Sequence, residues 1–389
     1  ASSGCFRLYR PRWKSDHLAI NRAVTQGISL LDYKNRIIEL PQNRVWRSYQ
    51  GGKILDELVG REEPNDSHYP EDWIGSVTPA RNPEAQSEHE GISTVRIDGQ
   101  TTLFTELIAV DPEYFLGKDH VARFGQQPMV LVKLLDSAVR LQLQVHPTAD
   151  FARANLDSNS GKAEAYYILD VRDDVDEAFV YLGFQRPPGR AELKRSIEEQ
   201  DIAGLESYFD KIRVKQGDML FIPGGIPHAI GGGIFMVEVM EPSDLVVRFE
   251  FERAGYTLPE SARFMNRGLD FCLDIFDFDP KPESLVRSSY MFEPQLEVTY
   301  GETARRYHLL GGETTPCFRV KKSVISGVVE RGEETFFTGV VTAGSCTLRT
   351  KREDIEVHKY DKFFCPAGLD TYTIEASEEV QILECFPPD

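Results

Sequence analysis

The sequence predicts a mainly β protein built as two strand-rich blocks with a short connection between them. Three observations carry that prediction. Short runs of β-branched and aromatic residues follow one another between turn residues. Glycine (30) and proline (22) are spread through the chain and do not gather in one tract. Only one stretch of any length shows helical periodicity. The first block comprises VLVKLL, VRLQLQV, YYILDV, AFVYLGF, DMLFIP, IFMVEVM and LVVRFEF, between residues 130 and 251. The helical stretch, Ala191 to Phe209, follows Pro187-Pro188-Gly189 and lines up Leu193, Ile197, Ile202, Leu205 and Phe209. It is an insertion at about 188–212. LDFCLDIFDFDPKPESL, from Leu269, reads as the linker. FRVKKSVI, FFTGVVTAG, CTLRT, KFFCPAG, YTIEA and VQILECF then form the second block. The implied division is 1–270 and 271–389.

Composition narrows the class of function. A chain of 389 residues is long enough for two or three domains of about 150 residues each. With 62 acidic and 44 basic residues the net charge is −18, which disfavours nucleic acid and anionic membranes as partners. A small anion is still admissible, since it needs only a local cluster of Lys and Arg. No apolar run approaches the length that spans a bilayer, and ASSGCFRLYRPRWK lacks the apolar core of an export signal. Cys5, Cys272, Cys317, Cys346, Cys365 and Cys385 contain no CxxC pair, so neither a zinc ribbon nor a compact disulfide framework is expected. Free thiols in a reducing cytoplasm are the expectation, and with them a cytoplasmic protein.

Two segments carry chemistry. In Leu141-Gln142-Leu143-Gln144-Val145-His146-Pro147, strand alternation puts Gln142, Gln144 and His146 on one face. In GDMLFIPGGIPHAI, the spacing of Gly217, Pro223, Gly225 and His228 fits the second motif of cupin barrels. There a proline–glycine turn aims a histidine into the barrel mouth. Gln144-Val145-His146 occupies the place of the first cupin motif, and Glu164 is the next candidate carboxylate. Gln144, His146, Glu164 and His228 make a mixed N/O set that suits zinc and would accept other divalent ions. The first block is therefore expected to carry a cupin (jelly-roll) motif, within two β modules with a small helical insertion. His17, His68, His89, His120, His308 and His358 are read as hydrogen-bonded residues with no site role.

QPMVLVKLLDSAVRLQLQVHP, GKAEAYYIL and GDMLFIPGGIPHAIGGGIFMVEVMEPSDLVVRFEFER together resemble the type I mannose-6-phosphate isomerases, most of all their short bacterial branch. The resemblance runs, with gaps, from about residue 46 to 389. It implies two cupin (jelly-roll) barrels, one of them metal-bearing, with a small helical insertion, and a metal-dependent aldose–ketose isomerase that interconverts mannose 6-phosphate and fructose 6-phosphate through an enediol(ate), with one zinc per chain. It places the metal ligands at Gln144, His146, Glu164 and His228, and catalytic groups at Lys162, Glu238 and Arg248. Alternation independently puts Lys162 with Glu164, and Glu238 with Met236 and Met240. Arg248 is alternatively one side of an ion pair with Glu250 or near Asp244.

Several positions depart from the family pattern. Gln142 stands where the family commonly has Ser, RSYQ separates Trp46 from Gly51-Gly52, and Thr148-Ala149 stands, as in the short branch, where long-form members often have Lys. In the second block Pro366-Ala367-Gly368 is followed by Thr371 where a ligand His would stand. The second barrel is thus expected to lack a metal and an ionisable cluster there, and to buttress the first. The competing readings are an isomerase or epimerase of another sugar or sugar phosphate, and a non-catalytic sugar-binding cupin.

Overall fold

The computed structural model describes residues 32–82, 87 and 89–389, which leaves Cys5 and His17 outside the described residues. The architecture is mainly β and antiparallel, as expected. A seven-stranded sheet runs Met291–Phe292, Met219–Ile222, Glu164–Val171, Ile234–Met240, Leu131–Asp136, Glu71–Ile74, Arg44–Val45. A five-stranded sheet runs Ile212–Arg213, Phe179–Leu182, His228–Ile230, Gln144–Val145, Val247–Arg248. A nine-stranded sheet is built on Arg319–Arg331 and Tyr372–Phe386.

The layers follow from which side chains each strand offers. Tyr166, Ile168, Leu220, Met236 and Leu135 project from the seven-stranded sheet onto Val180, Leu182 and Ile230 of the five-stranded one. Its opposite face presents Ala165, Tyr167, Phe235, Val237 and Val239 to Phe104, Leu107 and Phe115, to Phe364 of the nine-stranded sheet, and to Phe318 and Phe336, which lead into two of that sheet's strands. Strands covered on both faces have no solvent side to encode. This is why YYILDV and IFMVEVM read as nearly unbroken apolar runs. The outer face of the five-stranded sheet, through Leu143, Val145 and Phe249, rests on Leu193, Ile197 and Leu205 of the helical insertion.

Four details differ from the sequence expectation. The insertion is two helices, Arg190–Glu199 and Ile202–Ser207, because Gln200 turns left-handed (φ 50°) and Asp201 caps the second through Gly204 N. The expected linker is packed: Cys272, Leu273, Ile275 and Phe276 join the core under the five-stranded sheet. Helices Phe104–Val110, Pro112–Leu116 and Lys118–Phe124 fall in a region without expected elements. YTIEA and VQILECF are halves of one strand, Tyr372–Phe386. Ile38–Glu39 pairs into the nine-stranded sheet while Met291–Phe292 pairs into the seven-stranded one, so the two blocks exchange strands. No helix among the described residues is long and apolar enough to cross a membrane.

Candidate functional site

The site lies between the seven- and five-stranded sheets, and close backbone approaches set it up. Gly225 N donates to His146 O at 2.7 Å, and a Cβ on Gly224 would fall 2.7 Å from Pro147 O. The PGGIP turn can therefore lie flat against the end of the His146 strand, which brings the two imidazole centroids to 5.0 Å. Gly161 does the same for Lys162, whose N–H donates to Pro147 O at 3.0 Å. Lys162, Glu164 and Tyr166 then point inward on one face, while Ala165 and Tyr167 enter the opposite core.

Both imidazoles are fixed by carbonyl acceptors. His146 Nδ1 donates to Leu245 O and His228 Nδ1 to Ile226 O, each at 2.8 Å. A carbonyl can only accept, so the proton sits on Nδ1 and each Nε2 carries a lone pair. The two Nε2 atoms face Glu164, at 3.2 Å from Oε1 and 3.4 Å from Oε2. One donor atom from each of His146, Glu164 and His228 lies within 4.8 Å of the others. Gln144 joins them, its amide 3.3 Å from His228 Nε2. The ammonium of Lys162 stands among these atoms, 3.1 Å from His146 Nε2 and in contact with Glu164 Oε1. A buried cluster that already accommodates a positive charge, with lone pairs of N/O type converging on it, fits a divalent ion.

Beside the cluster is a small, tight pocket lined by Arg47, Lys133, Gln142, Gln144, Lys162, Glu238 and Arg248, among others. Glu238 stands 3.2 Å from Lys133 and 3.9 Å from Lys162. Burial pushes its carboxyl up to about 8; Lys133 opposes the shift and the charge of Glu164 adds to it. Burial, reinforced by Lys162, pulls His146 down to about 3, so it stays neutral and able to ligate. Arg47 holds Asp244 with two hydrogen bonds of 3.0 and 2.7 Å and approaches Glu71 at 3.3 Å. Lys133 approaches Glu71 at 3.4 Å and lies 4.8 Å from the Trp73 ring. Burial would raise Glu71, but Arg47 and Lys133 outweigh it and hold that carboxyl at about 2.

Arg248 differs from the other three cations. Among the described residues no carboxylate forms an ion pair with it, and its Nη1 donates only to Ala262 O at 3.3 Å. The alternative ion-pair partners are taken, Glu250 by Arg140 and Asp244 by Arg47. Burial, then Arg47, lowers its guanidinium to about 10, which leaves it charged at neutral pH.

Gln144, His146, Lys162, Glu164, His228, Glu238 and Arg248 are thus gathered around one space. Sequence reasoning passed over Arg47, Tyr49, Glu71, Lys133 and Tyr166, and raised Asp244 only as a possible neighbour of Arg248. Lys133 had a signal, a lone Lys inside the apolar run VLVKLL. Arg47, Ser48 and Tyr49 belong to RSYQ, which reads in the sequence as an interruption. Arg47 and Tyr49 line the cavity, and Ser48 holds Gln142 through its O at 3.2 Å.

No protein-family model matches the chain. It is 30% identical over 257 residues to the mannose-6-phosphate isomerase ManA of Bacillus subtilis, covering 66% of this chain and 74% of that protein. The crystal structure of the mannose 6-phosphate isomerase from Bacillus subtilis superposes with a TM-score of 0.66 at 22% identity, covering 90% of this chain and 99% of that one. A mannose 6-phosphate isomerase structure described as bound with zinc and yttrium superposes at 0.62 and 16% identity, covering 91% and 100%.

Proposed function

The chain belongs to the mannose-6-phosphate isomerase family, and from that premise we propose that it interconverts mannose 6-phosphate and fructose 6-phosphate by proton transfer through an enediolate. The observation that carries the reading is the cluster of His146, Glu164 and His228 set against a pocket lined by Glu238 and by Arg248, which has no carboxylate partner among the described residues. Gln144, His146, Glu164 and His228 would hold a divalent ion, zinc in our reading, which supplies Lewis-acid charge for the substrate's oxygens.

The remaining roles fall to side chains. Glu238 removes the proton from C2 of the open-chain aldose and the C1 carbonyl oxygen becomes the enediolate oxygen; the O2 hydroxyl proton passes to O1, and the C2-derived proton returns from Glu238 to C1 as O2 becomes the carbonyl. A carboxyl displaced to about 8 suits that exchange, because a base works best with a pKa near the operating pH. Lys162, 3.9 Å from Glu238, places positive charge where the enediolate develops negative charge. Lys133 and Lys162 balance Glu238, and Asp244 balances Arg47. Arg248 has charge left for a ligand, so we assign it the phosphate. We further assign 1–270 to the catalytic unit and 271–389 to a buttress behind its seven-stranded sheet, where Lys322 Nζ donates to Tyr167 OH at 3.0 Å.

A second reading, the same chemistry on another sugar, draws on Gln142. Its amide is committed to Ser48, donating to O at 3.2 Å and accepting from Oγ at 3.4 Å, and it narrows the cavity. A coupled assay on zinc-loaded protein with mannose 6-phosphate, free mannose and other hexose 6-phosphates tests both. Strong preference for mannose 6-phosphate is expected. Equal turnover of the free sugar favours the second reading, and no turnover of any leaves the chain a sugar-binding protein.

A further inference from the structure

We propose that the Tyr166 hydroxyl is a positioning group for Glu164: it engages one carboxylate oxygen and thereby fixes the other as the oxygen that faces the metal ion. The inference rests on the metal reading above and names a residue that takes no part in it.

The geometry is asymmetric in a way the metal alone does not explain. Tyr166 follows Glu164 by two residues, so strand alternation brings both side chains to the same interior face. The ring is 1% exposed and packs in the core between the two sheets, with Ile168, Leu220 and Met236 in the same cluster. Packing, not the hydroxyl, therefore fixes where the ring sits. The hydroxyl donates to Glu164 Oε2 at 2.5 Å. Oε1 accepts no aligned hydrogen bond; its neighbours are the bare Nε2 of His146 at 3.2 Å and the ammonium of Lys162.

The terminal torsion of a glutamate is broad, so backbone placement does not decide the orientation of its carboxylate plane. Neither imidazole can decide it, since both Nε2 atoms carry lone pairs and repel either oxygen. Tyr166 is the neutral donor present, its hydroxyl held on Glu164 Oε2 by the packing of its ring. Outer contacts of this kind orient a ligand before the ion arrives and are worth about 10- to 100-fold in metal affinity. A buried tyrosine also needs a hydrogen-bond partner for its own sake. That purely structural role would lower the stability of metal-free protein and leave ion binding untouched.

The test compares wild type, Tyr166→Phe, Glu164→Ala and the double variant, each stripped of metal and titrated with zinc against a chromophoric chelator. Tyr166→Phe should weaken zinc binding by about 10- to 100-fold and shift the visible spectrum of the cobalt(II)-loaded protein. In the Glu164→Ala background the same change should cost nothing, because the hydroxyl acts through the carboxylate. Thermal midpoints of the metal-free proteins confirm that each variant is folded. Zinc affinity of Tyr166→Phe within about twofold of wild type with an unchanged cobalt spectrum, or an equal loss in both backgrounds, overturns the proposal while the metal site stands. Absence of zinc binding by wild type overturns the metal reading and this inference together.

Discussion

The two strand-rich blocks each bury a cluster of charges, and the clusters differ in how completely their charges are paired. In the second block Arg306 meets Glu384 at 2.7 Å and Glu333 at 2.6 Å, Arg331 meets Glu333 at 2.5 Å and Glu384 at 3.4 Å, and Ser323 donates to Glu384 at 2.7 Å. Burial raises the Glu384 carboxyl, but Arg306 and Arg331 outweigh it and hold it below the ordinary value. In the first block Arg248 has no carboxylate partner among the described residues, two imidazole lone pairs converge, and Glu238 is pushed up to about 8 by burial. A closed network of this kind fixes a structure. An open one keeps charge and lone pairs for something that binds.

The turns tell the same story. Pro223 to Pro227 delivers His228 to the interior, whereas Pro366-Ala367-Gly368 receives a helix: Gly368 N donates to Tyr114 O at 2.7 Å and Ala367 N to Phe115 O at 3.1 Å. A Cβ on Gly368 would overlap the Tyr114 ring, 2.3 Å from Cδ2. Thr371 itself is exposed. The expectation of no ionisable cluster near it needs correction, because the neighbouring Tyr372 is buried, and the charges of Arg331, Glu384 and Glu333 act on its phenol.

The largest effect should come from the open cluster. Glu238→Gln preserves size and removes the proton acceptor, so kcat should fall by on the order of 100- to 10,000-fold with little change in KM. Steady-state kinetics on zinc-loaded protein checks it; a kcat within about tenfold of wild type would move the base elsewhere. The closed cluster should respond in the opposite currency. Arg331→Met leaves Glu333 and Glu384 short of a partner and should cost about 3–5 kcal/mol of stability, read by urea unfolding. The fraction that remains folded should keep the wild-type kcat.

Much of this contrast was legible in the sequence, for identifiable reasons. His146 and His228 sit in motifs whose proline and glycines serve one geometry, so spacing alone brought them together. Glu238 and Lys162 were placed by the family resemblance, and alternation supported it, because a polar residue on a strand otherwise covered on both faces has few reasons to be there. Arg47 and Glu71 were not found, nor was the pairing of Arg47 with Asp244. They arrive from strand ends and loops distant in sequence, with |i−j| of 197 for Arg47 and Asp244, and no local pattern encodes such a pairing. The helices from Phe104 to Phe124 were missed for a related reason. Pro112 and Gly117 divide them into pieces of five to seven residues, too short to register a helical period.

Arg248→Ala tests what the open cluster is open to. Hydrogen bonds to a charged partner contribute about 1.5–3 kcal/mol, so KM for mannose 6-phosphate should rise by roughly 10- to 150-fold. Activity on free mannose should change much less, and Arg248→Lys should recover part of the loss. An equal loss on both sugars would assign Arg248 to the reacting end of the substrate.

The smallest effect sharpens the comparison through pH. In metal-free protein Glu238 has a carboxyl raised from 4.5 to about 8, so between those values the folded chain keeps a proton that the unfolded chain has lost. Stability must then fall as pH rises through that window, by at most about 1.4 kcal/mol per pH unit for one proton. Glu384 carries the opposite sign: its carboxyl is depressed, so its contribution is present above the ordinary carboxylate value and is lost as pH falls below it. Urea unfolding of chelator-treated wild type and Glu238→Gln at about pH 5.5 and about pH 7.5 separates the two. The variant should lose less stability over that interval than wild type does, while Glu384→Gln should follow wild type there and depart from it only in acid. If Glu238→Gln keeps the wild-type slope, the proton does not reside on Glu238, and the open cluster has a different carrier.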